Sequence, residues 1–261
     1  MNPTGEPVIS IKNLRMFYGN NEVLKGIDLE IDKGQIIGYI GPNGAGKSTT
    51  VKILLGILSG YQGEVKVFGE EISAGSIEYK KRIGYVPETA DIYESLTAQE
   101  YLTFIGELCG MNNDAADGKA KHLMSLFGID EAYHKRISSF SKGMKQKVLI
   151  IASLLHNPDI LFFDEPLSGL DANSVMVFKE VMSELAAQGK TIFYSSHIME
   201  VVEKISDRII ILNGGRIMAD GTFNELKEHC REGSLEEIFN QLTGFDRHRD
   251  IANEFVSVLE E

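Results

Sequence analysis

The chemistry in this chain is concentrated in eight consecutive residues. Gly41, Pro42, Asn43, Gly44, Ala45, Gly46, Lys47 and Ser48 keep the spacing G-x-x-x-x-G-K-S, behind the apolar run Ile36–Ile40 and ahead of a helix-forming stretch, Thr49–Leu58. Glycines let a backbone turn tightly enough for successive N–H groups to face one anion. A helix N-terminus behind such a loop adds a partial positive charge. Lys47 can then reach β- and γ-phosphates, and the Ser48 hydroxyl can ligate Mg2+. Together with Thr49, the segment reads as a phosphate-binding P-loop and hence a nucleotide site.

Such a loop needs an acid at the end of a buried strand to hold the metal. Ile160-Leu161-Phe162-Phe163 supplies four apolar residues and Asp164 the carboxylate, where the strand should leave the sheet. Glu165 follows at once. Two adjacent acids there can divide the work, Asp164 on the metal and Glu165 polarising a water.

The elements that must position these groups follow from patterning. Ile36–Ile40 is apolar throughout, as expected of a strand buried on both faces. Further strands are expected at Val8–Ile11, Ile27–Ile31, Glu64–Phe68, Ile83–Val86, Thr191–Ser195 and Arg208–Leu212. Asn213-Gly214-Gly215 should turn the chain into a last strand, Arg216–Ala219. Between about 88 and 157 helical patterns take over, at Ala98–Cys109, Ala115–Phe127 and Lys142–His156. The expected fold is α/β, a P-loop NTPase core with a mostly parallel sheet and flanking helices. An N-terminal antiparallel edge and an inserted helical subdomain complete it. Residues 1–230 form the nucleotide-binding domain and 231–261 an acidic helical tail. In that tail Ile251, Phe255 and Leu259 make one apolar stripe, expected to dock on the protein's own core.

A chain of 261 residues with 26 basic and 38 acidic side chains carries a net charge of −12. Nucleic acid and anionic lipid select Lys/Arg-rich faces, so neither is the expected main partner. Cys109 and Cys230 sit in no paired motif, which suits a reducing compartment. No apolar run approaches the length of a membrane span, and the N-terminus lacks a basic region followed by an apolar one. A cytoplasmic setting is the expectation.

Beyond these two motifs the chain resembles the ATP-binding-cassette (ABC) ATPases over roughly residues 7–230. Phe140-Ser141-Lys142-Gly143-Met144 resembles the family signature, usually L-S-G-G-Q, and Ser168-Gly169-Leu170-Asp171 resembles its D-loop. His197 stands at the switch histidine and Tyr18 at the aromatic position under adenine. The resemblance implies ATP with Mg2+, and a head-to-tail dimer with a second copy or a homologous subunit. Each ATP would lie between one P-loop and the other protomer's Ser141, Lys142, Gly143 and Asp171. It also implies Asp164 on the metal, Glu165 on the attacking water and His197 on the γ-phosphate.

Three departures stand out. Phe140, Lys142 and Met144 replace the usual Leu, Gly and Gln of the signature, and Lys142 brings a cation toward the partner's γ-phosphate. Glu88 occupies the position of the Q-loop glutamine; its carboxylate keeps a metal-ligating oxygen and loses the amide donors. Pro-Glu at 87–88, Ser-Lys-Gly-Met-Lys-Gln at 141–146 and Ser234–Phe239 resemble the multidrug, antibiotic and sodium exporters whose membrane protein is a separate chain. The implied function is therefore a peripheral ATPase on the cytoplasmic membrane face, energising a polytopic permease that docks near Glu88–Leu96. For that stretch a solvated surface loop is the competing reading. A soluble ABC ATPase acting on nucleic acid or ribosomes is the alternative function, against which the charge of −12 and the short insert argue. A P-loop kinase or GTPase leaves the signature and His197 unexplained.

Overall fold

Strands buried on both faces set the architecture. In the computed structural model, which describes residues 6–72, 77–89, 92–244 and 248–259, two long N-terminal strands, β1 (Ile9–Tyr18) and β2 (Asn21–Ile31), precede β3 (Ile36–Ile40) and helix α1 (Lys47–Leu54). Next come β4 (Gln62–Val67), the short β5 (Glu70–Glu71) and β6 (Ile83–Val86). Three helices follow: α2 (Ala98–Leu108), α3 (Asn113–Leu126) and α4 (Lys142–Leu154). Alternation resumes with β7 (Ile160–Asp164), α5 (Ala172–Ala187), β8 (Thr191–Ser195) and α6 (Met199–Ile205). A hairpin of β9 (Arg208–Asn213) and β10 (Arg216–Gly221) leads to α7 (Phe223–Cys230), α8 (Leu235–Thr243) and α9 (His248–Leu259).

The strands form two sheets. One is antiparallel, in the order β2-β1-β4-β5; the other runs β10-β9-β3-β8-β7-β6, parallel except for the β9–β10 hairpin. Alternation along the parallel strands sends side chains to two cores. Ile37, Tyr39, Ile160, Phe162, Phe193, Ile210 and Leu212 meet the antiparallel sheet and α1. Ile36, Ile40, Leu161, Phe163, Ile192, Tyr194, Ile209 and Ile211 face the helices. With both faces covered, every position needs an apolar residue, which is why these strands read as unbroken apolar runs.

The N-terminal strands are antiparallel as expected, and they form a sheet of their own. They run longer than Val8–Ile11 and Ile27–Ile31 because register shifts at Ile11/Leu14, Leu14/Arg15 and Met16/Phe17 reset the alternation that a sequence pattern depends on. Helix α1 starts two residues before Thr49 and ends at Leu54, where Gly56 at φ +62° stops it.

The helical insert is continuous with the core. Val148 to Ser153 of α4 are all buried, and the helix lies against β6 while α2 and α3 pack on its other side. Capping boxes at Thr97/Glu100, Thr222/Glu225 and Ser234/Glu237 start α2, α7 and α8. Helix α8 buries Leu235 and Ile238 completely in the helix-side core. The stripe on α9 behaves differently from its expectation: Ile251, Phe255 and Leu259 are 50%, 67% and 72% exposed. Phe239 and Leu242 of α8, by contrast, pack against the helix-side core.

Two glycines test this packing with opposite signs. A Cβ on Gly84 of β6 would fall 2.2 Å from the Ser153 carbonyl oxygen of α4, which cannot retreat without unwinding the helix. Gly118, inside α3, has open space around it. Gly84→Ala should destabilise by roughly 1–3 kcal/mol or more. Gly118→Ala should stabilise by about 0.5–1 kcal/mol, both read from chemical unfolding midpoints.

Candidate functional site

The phosphate loop is pressed between both sheets. A Cβ on Gly41 would sit 2.3 Å from the Leu212 carbonyl oxygen of β9, and one on Gly46 2.5 Å from Leu24 of β2. Gly46 caps α1 at φ +108° and Gly44 turns at φ +78°, both in territory that favours glycine. The loop is fastened by Ala45 N–H donating to the Pro42 carbonyl at 3.1 Å and by Gly215 N–H donating to the Ala45 carbonyl at 3.1 Å. The Lys47 ammonium donates to the Gly41 and Pro42 carbonyls and so arches over the loop.

The acids arrive from the neighbouring strands. Asp164 ends β7 opposite Ser195, which ends β8. Glu88 comes two residues after β6. These three residues, with Glu165, His197, Val23 and Asn43, Gly44, Ala45, Gly46, Lys47, Ser48 and Thr49 of the loop, line one cleft of about 190 Å3. It lies at the C-terminal ends of parallel strands, where open α/β sheets bind ligands.

Glu165 is the most constrained member. Its φ of +48° is uncommon for a residue with a side chain. Its N–H donates to the Ser195 carbonyl at 2.9 Å. The carboxylate accepts from the His197 N–H at 2.6 Å and from the Ser196 hydroxyl at 3.2 Å, with the His197 ring nitrogen 3.8 Å away. Burial pushes the carboxyls of Asp164 and Glu165 above their ordinary range. Burial likewise lowers Lys47, against the opposing pull of Asp164, Glu165 and Glu88.

The remaining expected site residues lie elsewhere. Gly41 and Pro42 shape the loop and face an adjoining groove with Met199 and Phe239. Tyr18, at the β1–β2 turn, is 48% exposed and does not line the cleft. Ser141, Lys142, Gly143 and Asp171 are also outside it. Ser141 caps α4 by accepting from Met144 N–H at 3.2 Å. Asp171 caps α5 by accepting from Ser174 N–H and hydroxyl at 2.9 and 2.6 Å, and pairs with Lys147 at 3.1 Å. Those Ser174 hydrogen bonds hold its carboxyl far below the usual range. Val23, Ser195 and Ser196 complete the site without having been foreseen. Only the position of the two serines, at the end of a strand and just before His197, could have flagged them.

The donors present suit Mg2+, a hard cation that takes oxygen ligands. One hydroxyl, Ser48, and two carboxylates, Glu88 and Asp164, open on the same cleft. Among the described residues no group of three or more His, Cys, Asp or Glu encloses a metal by itself. That fits an ion which keeps waters and shares phosphate oxygens rather than sitting in an all-protein cage.

Known proteins converge on one assignment. Residues 24–168 match the family described as ABC transporter. The ABC transporter ATP-binding protein NatA of Bacillus subtilis (strain 168) is 37% identical over 230 residues, 86% of this chain and 93% of that protein. The linearmycin resistance ATP-binding protein LnrL of the same organism is 36% identical over 219 residues, 84% of this chain and 70% of its own length. A solved ATP-binding subunit of an ABC transporter superposes with a TM-score of 0.84 at 32% identity, over 90% of this chain and 99% of that one. The chain belongs to the ABC transporter family, as an ATP-binding and ATP-hydrolysing subunit.

Proposed function

We propose that this chain is the cytoplasmic ATPase of an exporter whose membrane-spanning permease is a separate polypeptide, and that two copies close head to tail around two molecules of MgATP. The observation that carries the reading is a division within the chain. Lys47, Ser48, Glu88, Asp164, Glu165 and His197 open on one cleft, while Ser141, Lys142, Gly143 and Asp171 stand outside it at the starts of two other helices. A helix N-terminus attracts an anion. The start of α4 therefore suits a phosphate brought by another protomer, and neither copy completes a site alone.

Within the cleft each group has a task. The loop N–H groups and Lys47 hold the phosphates. Ser48, Asp164 and Glu88 would hold Mg2+, which when bound neutralises phosphate charge. Three carboxylates against one ammonium leave the cleft too negative for a polyphosphate without such an ion. Glu165 orients the attacking water and accepts its proton as the bond between the γ-phosphorus and the bridging oxygen breaks. His197 faces the γ-phosphate, and Tyr18 offers an exposed ring to adenine. Asp171 couples the two sites across the interface.

No helix among the described residues is long and apolar enough to cross a membrane. The surface next to the cleft suits a separate membrane partner. Of Glu88–Leu96, Ala90 and Asp91 lie outside the described residues. The end of the stretch is anchored, with Ile137 N–H donating to the Leu96 carbonyl and Ser138 N–H to that of Glu94, both at 2.9 Å. Tyr93 is exposed on this anchored segment, beside Tyr101 of α2, and Phe104 and Leu108 of α2 are exposed as well. The resistance role in the name of LnrL favours export.

Two experiments test these claims separately. Lys47→Ala should abolish MgATP binding in titration calorimetry, whereas Glu165→Gln should bind ATP, lose roughly 10²–10⁴ in turnover and shift from monomer to dimer on sizing. A Glu165→Gln protein that stays monomeric with MgATP would sink the sandwich. In a mild-detergent pull-down, a polytopic membrane protein should co-purify stoichiometrically, and Tyr93→Asp with Phe104→Asp should release it while leaving the ATPase activity of the free subunit intact. Recovery of soluble proteins or ribosomes instead would remove the transport reading.

A further inference from the structure

Helix α4 is tied along one face to the loop that carries Glu165. The Lys142 ammonium donates to the Ser168 hydroxyl at 2.9 Å. Gly143 lies so close to the Gly169 carbonyl oxygen that a Cβ would be 2.5 Å from it. The Gln146 amide donates to the Pro166 carbonyl at 3.0 Å, and Lys147 pairs with Asp171 at 3.1 Å. Residues 142, 143, 146 and 147 are neighbours on a helix surface, so they present one continuous edge to residues 166–171.

Gln146 differs from the other three. It is 3% exposed, on a helix whose next seven residues are mostly apolar and buried. A buried amide is kept only where it is satisfied, and its partner here is the residue that directly follows Glu165. Glu165 needs outside support, because its backbone sits in the left-handed region that side chains disfavour. Its N–H is fixed by Ser195, and its carbonyl accepts from Ser168 N–H at 3.1 Å. The Gln146 amide supplies the hold on the next peptide, from the helix side.

We infer that Gln146 is a positioning residue for Glu165, acting within its own protomer. Resting on the sandwich reading above, this makes α4 a single body with two duties. Its N-terminus meets the partner's nucleotide, while its second turn aims the chain's own carboxylate at its own nucleotide. Engagement of one site thereby aligns the general base of the other.

Gln146→Met keeps the length and removes the donor. Misplacing a catalytic group by about 1 Å can cost on the order of 100-fold, so kcat should fall about 10- to 100-fold. KM for ATP should stay within about twofold, since no group that binds ATP is touched. If that variant lacks a cooperative thermal transition, Gln146→Asn, which keeps the amide one methylene shorter, carries the same expectation. The direction of action is read from mixed dimers made with two affinity tags. A wild-type chain paired with a chain carrying both Gln146→Met and Glu165→Gln should hydrolyse as fast as a wild-type chain paired with Glu165→Gln alone. Turnover as low as in the Gln146→Met homodimer would place the effect in trans and overturn the inference. So would a Gln146→Met dimer with wild-type kcat. A wild-type protein that never dimerises with MgATP would instead overturn the sandwich reading on which the inference rests.

Discussion

No side chain fits at residue 41, and the nucleotide site depends on that fact. The Leu212 carbonyl of β9 lies 2.3 Å from where a Cβ would be, so the chain leaving β3 stays against the neighbouring strand before it turns. Only then can the β9–β10 turn fasten the loop through Gly215 and Ala45. Leu24 of the antiparallel sheet presses on Gly46 from the other side. The loop is therefore shaped before any ligand arrives. Donors fixed in advance stabilise charge without the reorganisation that a mobile loop would require. The antiparallel sheet, whose Val23 lines the same cleft as the acids, contributes by holding that shape.

Charge sets the second constraint. The cleft gathers Glu88, Asp164 and Glu165 around Lys47 in surroundings that are half buried. Burial disfavours every ionised form, raising the two acids and lowering the lysine. The mutual attraction of Lys47 and the acids opposes this. A nucleotide alone would worsen the imbalance, and a divalent cation bound with it would offset part of the added charge. Glu88, at a position where the resemblance leads one to expect glutamine, adds one more negative charge to the cleft.

Much of this was legible in the sequence because burial on both faces leaves few choices of residue. Ile83–Val86, Ile160–Asp164 and Thr191–Ser195 have the bounds that their apolar runs indicate. β1 and β2 were harder to read, since their bulges break the two-residue period. The loop and the acids at the end of β7 stood out because phosphate chemistry demands a fixed spacing. Ser196 and Gln146 did not. Ser196 reaches Glu165, and Gln146 reaches the Pro166 carbonyl, through a hydrogen bond that depends on where two distant segments meet, and no local pattern encodes such a meeting. The α9 stripe shows the opposite failure: an apolar period predicts a face that wants cover, and says nothing of what covers it.

Asp171 illustrates why geometry must come before a role is assigned. The proposed sandwich gives it a role across the interface, yet within its own chain it already caps α5 through Ser174 and pairs with Lys147 of α4. Its carboxylate is therefore committed, as its depressed pKa indicates. Replacing it with alanine removes the cap and the ion pair together, so weakened dimerisation would report on α5 as much as on the partner. Asparagine still accepts from Ser174 N–H and loses the charge facing Lys147. What distinguishes the two replacements is thus the cap, and what they share is the loss of the ion pair between α4 and the loop. That pair is on the same edge on which Lys142, Gly143 and Gln146 lie. The ion pair between residues 147 and 171 and the amide at 146 hold the same contact, which ties residues 166–171 to α4.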